Sequence, residues 1–315
     1  MLSKYKVSLF YFITTVTLFF TTVTLQAHPS WGIVVDNSGC IYFVDVLHDD
    51  GTLWKIDPTD RSVQAILRGF HAHEIFIDEE NNIYAGVAIW RTGEIEGEGH
   101  NYIFKYNTSS GQLDTLLFTD DWDEFHGQTF AASNNYRDYY FTINQKIFDK
   151  NLNRPTKSLI DHKFERVNSL AVDKSDNLWI TNSRLKNGTL YRWNQREGLV
   201  EVAHRLLSPQ PENPIFEEPQ VQIFYGINFD QDGNPLIADN VDRQLKKVSM
   251  DGTYQAVYES EKFWHPAGVA FGNGHYYIME AGYDRRNIGP RIIVTDLDFK
   301  EVDRYVIDFI KEIIE

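Results

Sequence analysis

One pattern recurs six times along this chain, and it limits the fold more than any other feature. Each copy has a short apolar strand, a turn rich in Asp, Asn and Gly, then a second strand with an aromatic residue near its start, followed by two more strands. The first copy reads WGIVVDNSGCIYFVDV from Trp31, continuing through GTLWKIDPTD and SVQAIL to Leu67. The others open at His73 (HEIFIDEENNIYAGV), His126 (HGQTFAASNNYRDYYFTIN), Asn168 (NSLAVDKSDNLWITNS), Tyr225 (YGINFDQDGNPLIADN) and Ala267 (AGVAFGNGHYYIMEAG). Aligned on the residue that ends the first strand, the copies mark Asp36, Asp78, Ala131, Asp173, Asp230 and Gly272. Three of the five intervals are 42 residues and the other two are 53 and 57, so insertions account for the longer ones. Four strands per unit at this period predict an all-β, six-bladed β-propeller with four antiparallel strands per blade.

The local chemistry agrees. Asn37-Ser-Gly, Glu80-Asn-Asn, Ser175-Asp-Asn and Asp232-Gly-Asn separate first from second strands, where Asn, Asp and Gly satisfy tight turns. Both faces of the strands are largely apolar, as blades sandwiched between neighbours require. Each copy supplies its own four strands; in the sixth they are VAF, YYIME, RIIVTDL and DRYVID. The ring is therefore expected to close by packing of blade one on blade six, with no strand borrowed from the other terminus.

Residues 1–27 stand outside the repeat. Lys4 and Lys6 precede an apolar run from Val7 to Leu25, and Leu25-Gln26-Ala27 offers a cleavage site. This is the layout of a secretory signal, with an uncleaved anchor as the rival reading. The expectation is a signal peptide over 1–27, a single propeller domain over 28–315, and a secreted or periplasmic protein, free of the membrane after cleavage. Losing the two lysines takes the net charge from −15 to −17. That argues against nucleic acid, which needs a basic footprint, and suits a cation or a small-molecule ligand. Cys40 is the only cysteine, so no intrachain disulfide forms. A monomer is expected.

The repeat also works as a ruler for a site. In a propeller the starts of the inner strands and the ends of the second strands meet at one mouth. The first set is Trp31, His73, His126, Asn168, Tyr225 and Ala267; two positions earlier stand Pro29, His71, Glu124, Arg166, Ile223 and His265. The second-strand ends are Asp45, Val87, Asn144, Asn182, Asp239 and Glu280. Asp and Asn are common at strand ends for structural reasons, so the convergence is more informative than any one residue. The oxygen donors Asn144, Asn168, Asn182, Asp239 and Glu280 suit one divalent cation, Ca2+ or Mg2+, while His73 and His126, with His71 and His265, suit Zn2+. The long connections 89–100, 119–125, 208–222 and 281–290 fall on the same side, as loops that build a binding site do.

Two segments carry a family resemblance. PLIADNVDRQLKKVSMDG at 235–252 resembles the NHL-repeat signature, and NSLAVDKSDNLWITNS at 168–183 is similar to the senescence-marker-protein/gluconolactonase superfamily. The resemblance implies a six-bladed propeller. The gluconolactonase group holds one divalent cation through a Glu, Asn residues and an Asp; Asn168 matches its inner-strand Asn. Trp31 or His73 stands where the group's early Glu is expected, and Tyr225 or Ala267 where its late Asp is. HPAGVAF at 265–271 and FHGQTFA at 125–131 resemble the His-bearing strands of peptidylglycine amidating lyases, which implies zinc. The leading expectation is an exported, metal-dependent hydrolase of a small ester or lactone. Asp45, Asp239 or Glu280 would act as general base and His126 or His265 as proton shuttle. The alternatives are a non-catalytic binding propeller and a zinc-dependent lyase.

Overall fold

The computed structural model describes residues 29–46, 48–90, 99–183, 187–208, 223–282 and 289–307. The signal-like segment and most of the connections at 89–100, 208–222 and 281–290 lie outside the described residues. Among the described residues no helix is long and apolar enough to cross a membrane.

The described chain forms 24 strands, numbered β1 to β24 in chain order, in six four-stranded antiparallel sheets. Each sheet takes its four strands consecutively from the sequence, so every blade is self-contained, as the repeat predicts. The innermost strands are β1 (Ile33–Val35), β5 (Ala72–Ile77), β9 (Phe130–Ala132), β13 (Leu170–Val172), β17 (Phe224–Phe229) and β21 (Trp264–Gly272).

The turns after these inner strands show why the repeat is so regular. Asp36 Oδ1 accepts the amides of Ser38 and Cys40. Asp78 does the same for Glu80 and Asn82, Asp173 for Ser175 and Asn177, and Asp230 for Asp232 and Asn234. One carboxylate thus holds the i+2 and i+4 amides of four separate turns, which fixes the register of the second strand against the first. Blade six lacks this Asp. It turns instead through Asn273 and Gly274, both at positive φ (49° and 76°), the conformation a two-residue hairpin loop requires.

The ring closes by packing, with β1 lying against β21 on one side and β5 on the other. The inner strands approach so closely that only glycine fits at some contacts. A Cβ on Gly268 would lie 1.9 Å from the Trp31 carbonyl oxygen, and one on Gly32 would lie 2.7 Å from the Ile75 amide nitrogen. Between the blades lies the apolar core. Its largest cluster joins blades five, six and one through Leu236 and Leu245, Ile278 and Ile293, and Phe43 and Trp54.

Inner strand three begins later than its repeat position suggests. His126 precedes β9 by four residues, because Gly127 docks against the backbone of Val87 in the neighbouring blade and its amide donates to Asn101 Oδ1. His126 therefore stands in the connection into blade three.

Candidate functional site

Trp31 divides the central channel into two compartments. It borders a cup of about 690 Å³ at the mouth and a shaft of about 300 Å³ that reaches the opposite face, where the Asp-bearing turns lie. Its position is fixed from both sides. Trp31 and Gly32 both donate backbone N–H to His73 O, at 2.9 and 2.8 Å. The indole stacks on Tyr225 at 6.0 Å and meets the His73 ring at 5.1 Å. With His71 beside His73 (5.1 Å) and His265 stacked on Tyr225 (5.4 Å), five rings form a continuous belt contributed by blades two, one, five and six.

The cup lies between blades three and four. The connection into blade three gives Trp122, Asp123, His126, Gln128 and Thr129. The second strand of that blade gives Thr142 and the turn after it Asn144 and Gln145, and the connection into blade four gives Glu165, Arg166 and Asn168. Asn144 and Gln145 both adopt positive φ (50° and 63°), a tight bend that leaves the Asn144 side chain exposed at the mouth. Gln145 is used structurally: its side-chain oxygen accepts the Val167 amide and its carbonyl the Phe164 amide, tying blade three to blade four. Asn168 donates to Phe224 O at 3.2 Å and accepts from Arg166 Nε at 3.3 Å, which holds the guanidinium over the cup. His126 packs against Trp122 with ring centroids 4.9 Å apart. Burial lowers its pKa to about 4, so the imidazole is neutral at pH 7.

The other residues expected at the mouth have different surroundings. Asp239, fully buried at the end of its strand, accepts from the Val241 amide and from Lys246 Nζ at 2.5 Å; the same ammonium reaches Asp242 (2.6 Å) and Leu206 O (2.6 Å). Burial raises the Asp239 pKa to about 6, a rise that Lys246 opposes. Glu280 is fully buried as well. Its Oε2 accepts from Arg291 Nε at 2.5 Å and its Oε1 from the Tyr258 hydroxyl at 2.8 Å. Lys246 lies on β19 (Gln244–Val248) and Arg291 on β23 (Arg291–Thr295), each the third strand of its acid's own blade. Asn182 Oδ1 accepts the amides of Glu165 and Arg166, at 2.9 and 3.1 Å. The Asp45 carboxylate bonds His48 Nδ1 beside a small cavity of about 50 Å³ between blades one and six. His73 and His265 are both buried in the ring belt, and burial drives the His265 pKa down to about 3.

The structure thus brings His126, Asn144 and Asn168 together in the cup. It gives the side-chain oxygens of Asp239, Glu280 and Asn182 hydrogen-bond donors from within the protein. Among the described residues no group of three or more His, Cys, Asp or Glu side chains is placed to hold a metal ion. Neither the acids Asp45, Asp239 and Glu280 nor the histidines His71, His73, His126 and His265 form such a group. Sequence reasoning did not anticipate the role of Lys246 and Arg291. The available signal was the basic residues within the third strands QLKKV and RIIVT.

No family model matches this chain, and no curated protein matches it either. Solved structures do. A luciferin-regenerating enzyme is 13% identical, with 87% of this chain and 93% of that one covered at a TM-score of 0.58. A streptogramin B lyase is 15% identical, with 90% and 85% covered at a TM-score of 0.55. A structural-genomics protein of unknown function from Bacteroides thetaiotaomicron is 16% identical, with 80% and 67% covered at a TM-score of 0.58. At these identities the likeness is one of fold, and it extends the sequence resemblance as far as the six-bladed propeller.

Proposed function

We propose that this protein binds a small, polar, uncharged molecule in the mouth cup, over Trp31 and between blades three and four. The observation that carries this reading is the composition of the cup. A space of about 690 Å³ is lined by two indoles, a neutral imidazole and a ring of amide and hydroxyl groups, with Asp123, Glu165 and Arg166 as its charged members. A concave site with aromatic walls and a few convergent polar groups is the usual form of a small-molecule pocket. The indoles supply flat apolar faces. Asn144, Gln128, Thr129 and Thr142 offer donors and acceptors that favour hydroxyls or amides over charge. Arg166, at the rim, is a fixed cation that would tolerate a weakly acidic group. The ligand class is a hydroxyl- or amide-rich molecule with one apolar face, and export would place it outside the cytoplasm.

A catalytic reading retains one supporting observation. A neutral His126 in a half-buried cup can accept a proton, and two of the fold neighbours are named as an enzyme and a lyase. A pKa near 4 makes it a weak base, because proton transfer is most effective near the working pH. Metal-dependent ester or lactone hydrolysis and zinc-dependent elimination would need amide, backbone or water oxygens to complete a metal site, since no three His, Cys, Asp or Glu side chains of the described residues form one.

The test is calorimetric titration with a panel of sugars, polyols, amides and lactones, with turnover of each compound followed in parallel and bound metal measured by elemental analysis. Saturable binding without turnover or stoichiometric metal, weakened in Trp122→Ala and His126→Ala, is expected. Stoichiometric metal together with chelator-sensitive lactone turnover would overturn the binding reading in favour of the hydrolase. Binding unaffected by both substitutions would place the site elsewhere.

A further inference from the structure

The shaft on the other side of Trp31 has its own chemistry. Its walls are the inner strands, with apolar side chains such as Ile33, Ile75, Val172 and Val269, and it is closed at the inner end by Trp31. One ionisable side chain from the strand interiors lines it: Glu74, on β5, which is 5% exposed. Its Oε1 accepts a hydrogen bond from Ser169 Oγ at 2.9 Å, across the channel from blade four. Ser169 Oγ in turn accepts the Ile227 amide of blade five at 3.2 Å, which leaves the hydroxyl hydrogen to Glu74. Glu74 Oε2 makes no well-aligned hydrogen bond, with the Trp31 indole its polar neighbour.

An unpaired carboxyl oxygen in an apolar shaft needs a counterpart, and its protonation decides which kind. Burial raises the Glu74 pKa well above the ordinary range; Ser169, Trp31 and the Leu170 amide oppose the rise only in part. The shift favours the neutral, protonated carboxyl over the carboxylate. Oε1 is engaged as the acceptor of the Ser169 hydroxyl, so in the protonated form Oε2 is the oxygen placed to donate to a bound molecule.

We propose that the shaft is a second binding site, taking a small, mostly apolar molecule with one hydrogen-bond-accepting oxygen, such as an aliphatic ketone or ester, anchored by Glu74. The apolar walls receive the chain of the molecule and Glu74 receives its oxygen. The site is separate from the mouth cup, since Trp31 lies between them, and it does not depend on what the cup binds.

Calorimetric titration of the full chain with 2-heptanone tests this directly. Saturable one-site binding is expected, about tenfold or more tighter than for 2-methyl-1-heptene, the same shape without the oxygen. Glu74→Gln keeps an N–H donor at the anchor and retains binding, whereas Glu74→Leu weakens it by about tenfold or more. Absence of saturable binding would mean that the shaft holds only water and would overturn the proposal. So would equal binding of ketone and alkene, or binding unchanged in Glu74→Leu. Hexylamine binding more tightly than the ketone, with proton release read from buffers of different ionisation heat, would make Glu74 an anion and also refute the assignment. The comparison of the two probes uses the unaltered protein, so it stands even if Glu74→Leu fails to fold.

Discussion

Removing Glu280 or Arg291 should reveal a structural pair rather than a ligand site. Glu280 is fully buried, Arg291 is nearly so, and their contact is 2.5 Å. The Tyr258 hydroxyl satisfies the other carboxylate oxygen, and Arg291 Nη1 reaches Glu261 at 2.9 Å while the guanidinium packs on Trp264. Glu280→Ala leaves a buried guanidinium whose remaining carboxylate partner, Glu261, is more than half exposed. Breaking a buried pair in this way costs about 3–5 kcal/mol, mainly because an uncompensated charge stays behind. Arg291→Met strands the carboxylate and should cost a similar amount, whereas the double variant removes both charges and should cost much less than the sum. At about 2 °C per kcal/mol for a domain of this size, each single variant should lower Tm by roughly 6–10 °C. The assay is a double-mutant cycle by chemical denaturation, with a coupling energy of about 2 kcal/mol or more expected. Additive losses would refute the pairing. A Glu280→Ala variant of unchanged stability that had lost a bound divalent cation would restore the ligand reading.

Three shorter predictions follow from other parts of the molecule. Between the ordinary Glu pKa of about 4.3 and its raised folded value, native Glu74 keeps a proton that the unfolded chain has released. Stability should therefore fall as pH rises through that window, and the Tm-versus-pH curve of Glu74→Gln should lack this fall; parallel curves would contradict the buried acid. The His126 ring signals should titrate by NMR with a midpoint about 4, so ligand binding in the cup should weaken only as pH falls towards that value; a midpoint near the unperturbed 6.5 would show that the ring is solvated. Gly268→Ala places a methyl group against the Trp31 carbonyl at the ring closure and should destabilise by roughly 3 kcal/mol or more in thermal unfolding; a neutral substitution would mean that blades one and six are not packed as described.

The fold was legible in the sequence because its determinants are local and repeated. Asp36, Asp78, Asp173 and Asp230 each close a turn with amides two and four residues away, so the same chemistry appears at the same spacing in the text and in space. The site was legible only in part, because its determinants are not local. The repeat identified Asp239 and Glu280 as strand-end acids, but whether such an acid faces a ligand or a cation of the protein depends on how the third strand is placed. In blades five and six that strand presents Lys246 and Arg291. The same limit applied to Trp31. Its place in the inner-strand series showed a departure from a glutamate-bearing pattern, while its role as the partition of the channel arises from contacts with His73 and Tyr225, in blades two and five. His126 and Asn168 both precede inner strands, the position from which the repeat named them, and both line the cup. Gln128, Thr129 and Thr142 carry no comparable signal, since polar residues beside strands are common on any surface.

The central claim is that the mouth cup, and not the ring of strand-end acids, receives the ligand. Crystallographic soaking with a library of small sugars, polyols, amides and lactones, together with Ca2+ and Zn2+, tests it most directly. The account predicts density for an organic fragment against Trp122, His126 and Asn168, with Asp239 still on Lys246 and Glu280 still on Arg291. A cation coordinated by Asp239 or Glu280 with those pairs broken, and a cup that stays free of fragments, would contradict it.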